Sequence, residues 1–590
     1  MEHQQLERVF DLLIAYSDKQ MTDLFNKKTQ GVWKNYSASE TLNIINDVAL
    51  GLIELGIKPN DKVAIIASNR PEWNFIDFAI QIIGAVSVPM YPTITVEDYA
   101  FIFKDSEVKI IFAENADLWN KSKEAAKGND NVQEIFTFDQ VAGAKYWTEV
   151  IDLGLGKDAS VLEELKSNVK AEDLLTLIYT SGTTGRPKGV MLTHKNIISN
   201  IKALVRGKYF DLYDGDKALS FLPLCHIYER TDIYMYMYYG VSIYYAESME
   251  TIADNIREVR PSMFATVPRL LEKVFDKILA KGNELTGLKR SLFFGAVEFG
   301  LKYDPMVKLG LLDQIKLGFY RKLIFSKWKE ALGGNIRLIT SGSAALQPRL
   351  SRVFWAAGIP ISEGYGLTET SPVISVSQVS PPDFRIGCVG TLLDCLELKI
   401  AEDGEICVKG DSIMPGYYNN PEATAEAIDS EGWFHTGDIG MMVEGKYLKI
   451  TDRKKEIFKT SGGKYVAPQL VENKLKESAF IEQCMVVGAG QKFPSALIIP
   501  EFLALKVWCN QQGIAAETNL EMIHHPEVVA LMEEEVKTTM SSVAKYEQVK
   551  KFVLLPALFS IQEGELTPTL KLKRKIIYAK YEHLVLPLYN

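Results

Sequence analysis

The stretch YTSGTTGRPKGV, Tyr179 to Val190, sets three glycines, four Ser/Thr hydroxyls and Lys188 within twelve residues. Side chains this short leave backbone N–H groups exposed. Together with the hydroxyls of Thr180, Ser181, Thr183 and Thr184, and with Gly182 and Gly185 keeping the loop open, they can surround the oxygens of a phosphate. The loop is not a Walker A motif: counting from Gly182, Pro187 stands where the second glycine belongs and Gly189 where Ser or Thr belongs. A second cluster, EGYGLTETSP (Glu363 to Pro372), sets Tyr365 between two glycines, so that its ring can lie against a flat base. Thr368 and Glu369 follow with a hydroxyl and a carboxylate suited to a metal-bridged phosphate. A third small-residue turn is TSGSAAL (Thr340 to Leu346). In a fourth, GWFHTGD, Asp438 can accept two hydrogen bonds from a ribose diol, with Arg453 of TDRKKE as a donor nearby. Each cluster alone also has a plain structural explanation: a solvated turn, a core tyrosine, a turn-forming aspartate.

These residues need a scaffold that presents them on loops. LLTLIY (Leu174 to Tyr179) predicts a buried strand, and GVMLTHKNIISNIKAL predicts a short strand, a Thr193 cap and a helix. From Asp61 the chain alternates KVAIIAS, PEWNFIDFAIQIIG, AVSVPMY, TVEDYAFIFKDS and VKIIFAE, a βαβ rhythm that implies a mostly parallel sheet covered by helices. Residues 270 to 332 predict a helical insertion rich in basic residues, and short strands with tight turns follow from about Asp394, before a further α/β portion.

A chain of 590 residues exceeds one ordinary core and predicts two or more domains. Its net charge of −9 gives no general attraction to nucleic acid. The N-terminus has no apolar signal-like run, and the most apolar stretch, Phe78 to Met90, is short for a bilayer span. The expected location is the cytoplasm. Six cysteines without a C-x-x-C pair predict reduced thiols. Cys225 and His226, adjacent in a segment read as extended, would point to opposite faces and so do not make a thiol nucleophile.

Taken together and in this order, YTSGTTGRPKGV, EGYGLTETSP, GWFHTGD, ITDRKKEIFKTSGGKYVAP and LTPTLKLKR resemble the AMP-forming acyl/aryl-CoA synthetase superfamily nearly end to end. TVPRLLEKVFDKI, the helical insertion and the LTPTLKLKR ending are most similar to long-chain fatty acyl-CoA synthetases. The resemblance implies an α/β fold: a large N-terminal domain, 1–451, with doubly wound, mostly parallel sheets and a small β-rich part, and a smaller mobile C-terminal α/β lid, 452–590, hinged near Lys455. It implies that Thr180 to Lys188 hold the β and γ phosphates of ATP and that Ser343, Ala344 and Tyr365 form part of an adenine pocket. Thr368 is then the α-phosphate ligand, Glu369 the Mg²⁺-associated carboxylate, and Asp438 with Arg453 the ribose pair. Lys571 matches the catalytic lysine, preceded here by Leu570 where the family often has glycine, and Gly463 the glycine beside the pantetheine channel. His226 falls near the acyl carbonyl, where a structural histidine is the competing explanation. The implied reaction takes a long-chain fatty acid and ATP to acyl-AMP and pyrophosphate, then passes the acyl group to CoA. The alternatives are a fatty acyl-AMP ligase serving a carrier protein and a silent lipid-binding scaffold. The expected partners are small molecules, with peripheral contact to the inner face of a membrane and a homodimer as further expectations.

Overall fold

Apolar β-branched runs separated by capped helices build two sheets in the first two-thirds of the chain. The computed structural model describes residues 6–181, 186–541, 543–567 and 571–589, and of Ser181 the backbone only. The strands Lys62–Ile66, Val86–Pro89, Val108–Ala113, Glu134–Thr137 and Lys145–Tyr146 run parallel, and Val86–Pro89 is followed across the sheet by Leu174–Ser181. Pro187–Thr193 closes that edge as an antiparallel hairpin, with Thr180 opposite Lys188 and Ser181 opposite Pro187. The hairpin therefore brings the two described ends of the Gly/Ser/Thr segment, Thr180 and Lys188, opposite each other.

A second sheet sets Ser242–Tyr245, Lys217–Ser220, Met263–Thr266, Leu338–Ser341 and Ile361–Gly366 side by side and parallel. Val373–Val376 and Thr391–Leu392 continue it antiparallel. Parallel strands bury both faces, which accounts for their unbroken apolar runs. The helices Pro71–Ile82 and Ile227–Tyr239 touch strands of both sheets and are buried on nearly every side. Some of their polar residues form one buried network. The Arg230 guanidinium is fully buried and pairs with Asp77, while also donating to Ser87 Oγ at 2.8 Å, Thr176 Oγ1 at 2.9 Å and the Tyr234 hydroxyl at 2.7 Å. The aromatic run of this helix is thus core: Tyr234 and Tyr236 are buried.

The helix starts read from the sequence are present. Thr193 accepts from the Asn196 N–H ahead of the His194–Arg206 helix, and Pro71 opens its helix; Thr95, not singled out as a cap from the sequence, also caps Val96–Asp105. One local expectation fails. Leu224 to His226 form a turn and not an extended segment, because His226 caps the helix that follows. Cys225 is buried there, and burial pushes its thiol pKa up, so the conclusion that it is no nucleophile stands on burial instead of alternation.

The insertion consists of Pro268–Asn283, Gly287–Lys302, Leu311–Tyr320, a π-helical turn Arg321–Phe325 and Ser326–Ala331. Phe275, Phe325, Trp328 and Phe354 pack edge to face and anchor it. The outer face of Leu311–Tyr320 is apolar and bare, with Leu312 83% and Ile315 71% exposed. No helix among the described residues is long and apolar enough to cross a membrane.

The chain divides into two compact units. The first holds 1–399, 407–435 and 443–448, and the second holds 400–406, 436–442 and 449–590. The second unit has its own three-stranded sheet, in which Ser495–Pro500 lies between antiparallel Ile481–Val487 and parallel Lys551–Leu554. Alternation along the central strand splits its core: Ile498 packs with Leu475, Leu505 and Met532, whereas Leu497 and Ile499 pack with Ile577 on the other face.

Candidate functional site

In the first unit, three of the candidate turns leave the carboxyl ends of parallel strands of one sheet, where open α/β sheets bind ligands. His226 follows Lys217–Ser220, Ser343 and Ala344 follow Leu338–Ser341, and Tyr365, Thr368 and Glu369 end or follow Ile361–Gly366. Ser343 sits at φ +67 after Gly342, whose missing side chain admits the Tyr228 ring: a Cβ there would stand 3.1 Å from it. Tyr228 in turn donates to Thr340 Oγ1 at 2.9 Å. Tyr365 is half-buried, opposite Ser375 on the antiparallel neighbour. Thr368 opens a short 3₁₀ turn with its side chain nearly buried. At the head of this cluster Glu363 is buried, and burial pushes its carboxyl pKa up to about 8 against the opposing effect of a Ser351 hydrogen bond.

The structure brings Lys188 and Glu369 to one residue that the sequence reading did not select. The Tyr417 hydroxyl donates to Glu369 Oε1 at 2.9 Å, and the Lys188 ammonium stands 5.0 Å from the centre of the Tyr417 ring. Burial and the Glu369 carboxylate together push the Tyr417 pKa up, so the phenol stays protonated. Its backbone is fixed on both sides. Met191 N–H donates to Gly416 O, Tyr418 N–H donates to Gly189 O at 2.7 Å, and Tyr417 N–H donates to Thr424 Oγ1 at 2.9 Å. Met414 N–H meanwhile donates to Glu369 O at 2.9 Å. The sequence signal was MPGYYNNPEAT: a Pro-Gly pair, two aromatics, and an Asn-Pro helix start that holds them. Gly182, Thr183, Thr184 and Gly185 lie outside the described residues, as does the Ser181 side chain. What is described is the base of their loop. Tyr179 donates to Asp105 Oδ2 at 2.5 Å, and Arg186, the loop's second cation, lies over the Phe101 ring. The sequence reading missed Arg186 and Asp105.

His226 has a structural role: its Nδ1 accepts from the Tyr228 N–H at 3.2 Å as a helix cap. In the neutral ring that bond leaves the proton on Nε2. Glu369 presents a half-buried carboxylate with one oxygen toward Tyr417. This suits Mg²⁺, which takes one or two carboxylates plus phosphate oxygens and keeps its waters.

In the second unit Asp438 is nearly buried, and its Oδ1 stands 3.2 Å from Arg453 Nε, so the two residues read as a ribose pair do meet. Next to Arg453, the Asp452 carboxyl accepts from its own neighbour's N–H at 2.6 Å and from Gln469 N–H at 3.3 Å. Burial nonetheless pushes its pKa up to about 7. Lys455 is exposed in the turn after Tyr447–Arg453. Gly463 has φ +78 in the hairpin between Phe458–Lys459 and Tyr465–Val466, where its N–H closes the turn on Thr460 O. Lys571 is exposed. Its backbone N–H donates to Thr567 Oγ1 at 3.0 Å and its carbonyl accepts from Thr567 N–H at 2.8 Å, so the pair clamps the ends of a loop whose residues 568–570, Leu570 among them, lie outside the described residues.

Residues 16–418 match the family described as AMP-binding enzyme, and residues 455–590 match the AMP-binding enzyme C-terminal domain. The chain belongs to the AMP-binding enzyme family. Among its relatives, the long-chain-fatty-acid–CoA ligase FadD15 of Mycobacterium tuberculosis is 35% identical over 573 residues, covering 96% of this chain and 94% of that one. Human long-chain-fatty-acid–CoA ligase 1 is 33% identical over 575 residues, covering 92% of this chain and 80% of its own. The fold is similar to that of the adenylation domain of carboxylic acid reductase from Segniliparus rugosus, solved with AMP and a co-purified carboxylic acid (TM-score 0.74, 20% identity, 99% and 94% coverage). It is also similar to the anthranilate–CoA ligase AuaEII (TM-score 0.72, 18% identity, 98% and 99% coverage).

Proposed function

We propose that this protein couples a long-chain fatty acid to CoA through an acyl-AMP intermediate. The observation that carries the proposal is the meeting of Lys188 and Glu369 on Tyr417, beside Thr368 and at the base of the Gly/Ser/Thr loop. Kinship over nearly the whole chain with proteins named as long-chain-fatty-acid–CoA ligases supports the substrate class.

A carboxylate is a poor electrophile, so it must first be joined to a good leaving group. In the first half-reaction a carboxylate oxygen attacks the α-phosphorus of ATP, the bond from that phosphorus to the oxygen bridging to the β-phosphate breaks, and pyrophosphate leaves. Two anions meet in this step, and catalysis requires preorganised positive charge and donors around them. Thr180 to Lys188 hold the β and γ phosphates, Thr368 donates to the α-phosphate, and Lys571 supplies positive charge there. Tyr365 with Ser343 and Ala344 holds the base, and Asp438 with Arg453 the ribose. Glu369 would hold Mg²⁺, which when bound would supply positive charge to the phosphates. In the second half-reaction the CoA thiolate attacks the acyl carbonyl and AMP leaves. A glycine at 463 leaves the pantetheine arm room, and Lys455 is the hinge between domains 1–451 and 452–590. His226 lies toward the acyl carbonyl and is a cap first.

Purified protein with ATP and Mg²⁺ should release pyrophosphate only when palmitate is present, and should form palmitoyl-CoA when CoA is added. No palmitate-dependent release overturns the adenylation step. Transfer to a phosphopantetheinyl carrier but not to CoA overturns the acceptor. Each buried methylene contributes about 0.8 kcal/mol, so eight further carbons offer at most roughly 6 kcal/mol. Better turnover of octanoate and benzoate than of palmitate would overturn the chain length.

The same reading places the protein in the cytoplasm, with peripheral contact to a membrane's inner face and with a homodimer. The bare apolar face of Leu311–Tyr320 supports the membrane contact, as do nine Lys/Arg against three Asp/Glu over 287–329 in a chain of net charge −9.

A further inference from the structure

Lys188 and Glu369 carry opposite charges and both face Tyr417, yet among the described residues no ion pair joins them. The ring lies under the ammonium and the hydroxyl donates to the carboxylate, so the phenol occupies the space through which the two would otherwise approach. Three hydrogen bonds fix the backbone that carries it: Gly416 O accepts from Met191 N–H and Tyr418 N–H donates to Gly189 O on one side, and Tyr417 N–H donates to Thr424 Oγ1 on the other. A fourth, from Met414, pins the carbonyl of Glu369 itself.

We infer that Tyr417 is a positioning residue that separates the loop lysine from the site's carboxylate, so that neither is neutralised by the other before nucleotide arrives. The inference rests on the reading of Lys188 as a phosphate-binding residue. A lysine side chain has four rotatable bonds and readily reaches a neighbouring carboxylate when nothing intervenes. Such a pair would have to break before Lys188 could meet a phosphate, and ATP would bind more weakly by that amount. The tyrosine avoids this with one side chain. Its face offers the ammonium an attraction that a phosphate easily outcompetes, and its hydroxyl orients one carboxylate oxygen while leaving the other for a cation.

The test is the affinity of full-length protein for ATP without Mg²⁺, measured by calorimetry in EDTA, so that neither turnover nor metal binding enters. Tyr417→Ala should weaken ATP binding about fivefold, the upper end of what one exposed ion pair contributes. Tyr417→Phe keeps the ring between the charges and should bind within about twofold of the native protein, the hydroxyl contributing little when no metal is present. Glu369→Gln should bind no worse than native. The decisive variant is the double Tyr417→Ala with Glu369→Gln: once the carboxylate's charge is gone, Lys188 has nothing to pair with, and ATP affinity should return to within about twofold of Glu369→Gln alone. If the double variant binds as weakly as Tyr417→Ala, or if Tyr417→Phe is as weak as Tyr417→Ala, the tyrosine is a structural tie and the inference fails. Lys188→Ala distinguishes the deeper failure. If it leaves ATP affinity unchanged in the native background, Lys188 does not bind phosphate and the nucleotide-site reading falls first. Thermal melts report whether Tyr417→Ala folds, and Tyr417→Leu, which fills more of the space while removing the ring, replaces it in the same comparison if it does not.

Discussion

Lys571 and Gly463 are assigned to different half-reactions, so substituting each should damage one step and spare the other. For Lys571→Ala the fold is safe: the turn is clamped by the backbone groups of residue 571 and the Thr567 hydroxyl, which the substitution leaves in place. What is lost is a charge donated to the α-phosphate, and removing one preorganised donor of this kind slows a reaction about 10²- to 10³-fold. For Gly463→Leu the local cost is conformational. At φ +78 a side chain is strained by roughly 1–2 kcal/mol, while the space around the position is open, the nearest atom to a new Cβ being Lys459 Cε at 3.8 Å. Strain of about 2 kcal/mol accounts for at most a roughly 30-fold effect. A larger loss of thioester formation therefore reports obstruction of the thiol. Palmitate-dependent pyrophosphate release measures the first step, and CoA consumption from synthetic palmitoyl-AMP measures the second. Lys571→Ala should fail the first assay by at least about 10²-fold and pass the second, and Gly463→Leu the reverse. Equal loss of both steps in both variants would refute the division of labour.

The remaining predictions address stability and surface chemistry. Asp452 has its carboxyl pKa raised to about 7 from 3.8, so the folded state holds its proton more tightly than the unfolded chain. Stability of the second unit should fall as pH rises from about 4 to 7, by roughly 2–4 kcal/mol, and then level off. Hydrogen exchange of peptides spanning 449–475 should show that slope, and Asp452→Asn should flatten it; an unchanged slope in the variant disproves the assignment. Asp77→Ala strands the Arg230 guanidinium in the core and should cost about 3–5 kcal/mol in denaturant unfolding, with a loss under about 1 kcal/mol counting against the buried pair. Flotation with vesicles containing anionic lipid should carry the native protein, more weakly at high salt. Leu312→Asp with Ile315→Asp should abolish it, whereas equal flotation of that variant places the contact elsewhere.

The βαβ rhythm, the Thr193 cap and the Pro71 helix start were legible because each rests on periodicity or on a local feature that neighbouring residues complete. The turns that carry the candidate site were legible as clusters of small and polar residues, since such turns must expose backbone. Tyr417 was not. Its partners, Lys188 and Glu369, lie 229 and 48 positions away, and they reach it through the strand-like pairing of 416–418 with Gly189 to Met191 and through the Met414 N–H bond to Glu369 O. The extended segment read at Cys225 and His226 was misjudged for a related reason. A cap is decided by where the next helix begins, and the aromatic, charge-bearing sequence of Ile227–Tyr239 lacks the amphipathic spacing that marks a helix start, because that helix is buried on nearly every side. Asp452, too, looks ordinary in TDRKKE until its burial is seen.

The π-helical turn at Arg321–Phe325 gives the insertion an unusual genetic property. Such a turn contains one residue more than an α-helical turn. Loss of a single codon there, that of exposed Lys322 for instance, would let the wide turn revert to ordinary α winding, the extra residue being just what the turn absorbs. Leu311, Leu312 and Ile315 would keep their direction relative to Phe325 and Trp328, which are locked into the aromatic anchor. The same deletion inside the α-helical Leu311–Tyr320 would instead turn the residues before it by about 100°. The insertion therefore has one point at which it can lose a residue without re-aiming its apolar stripe.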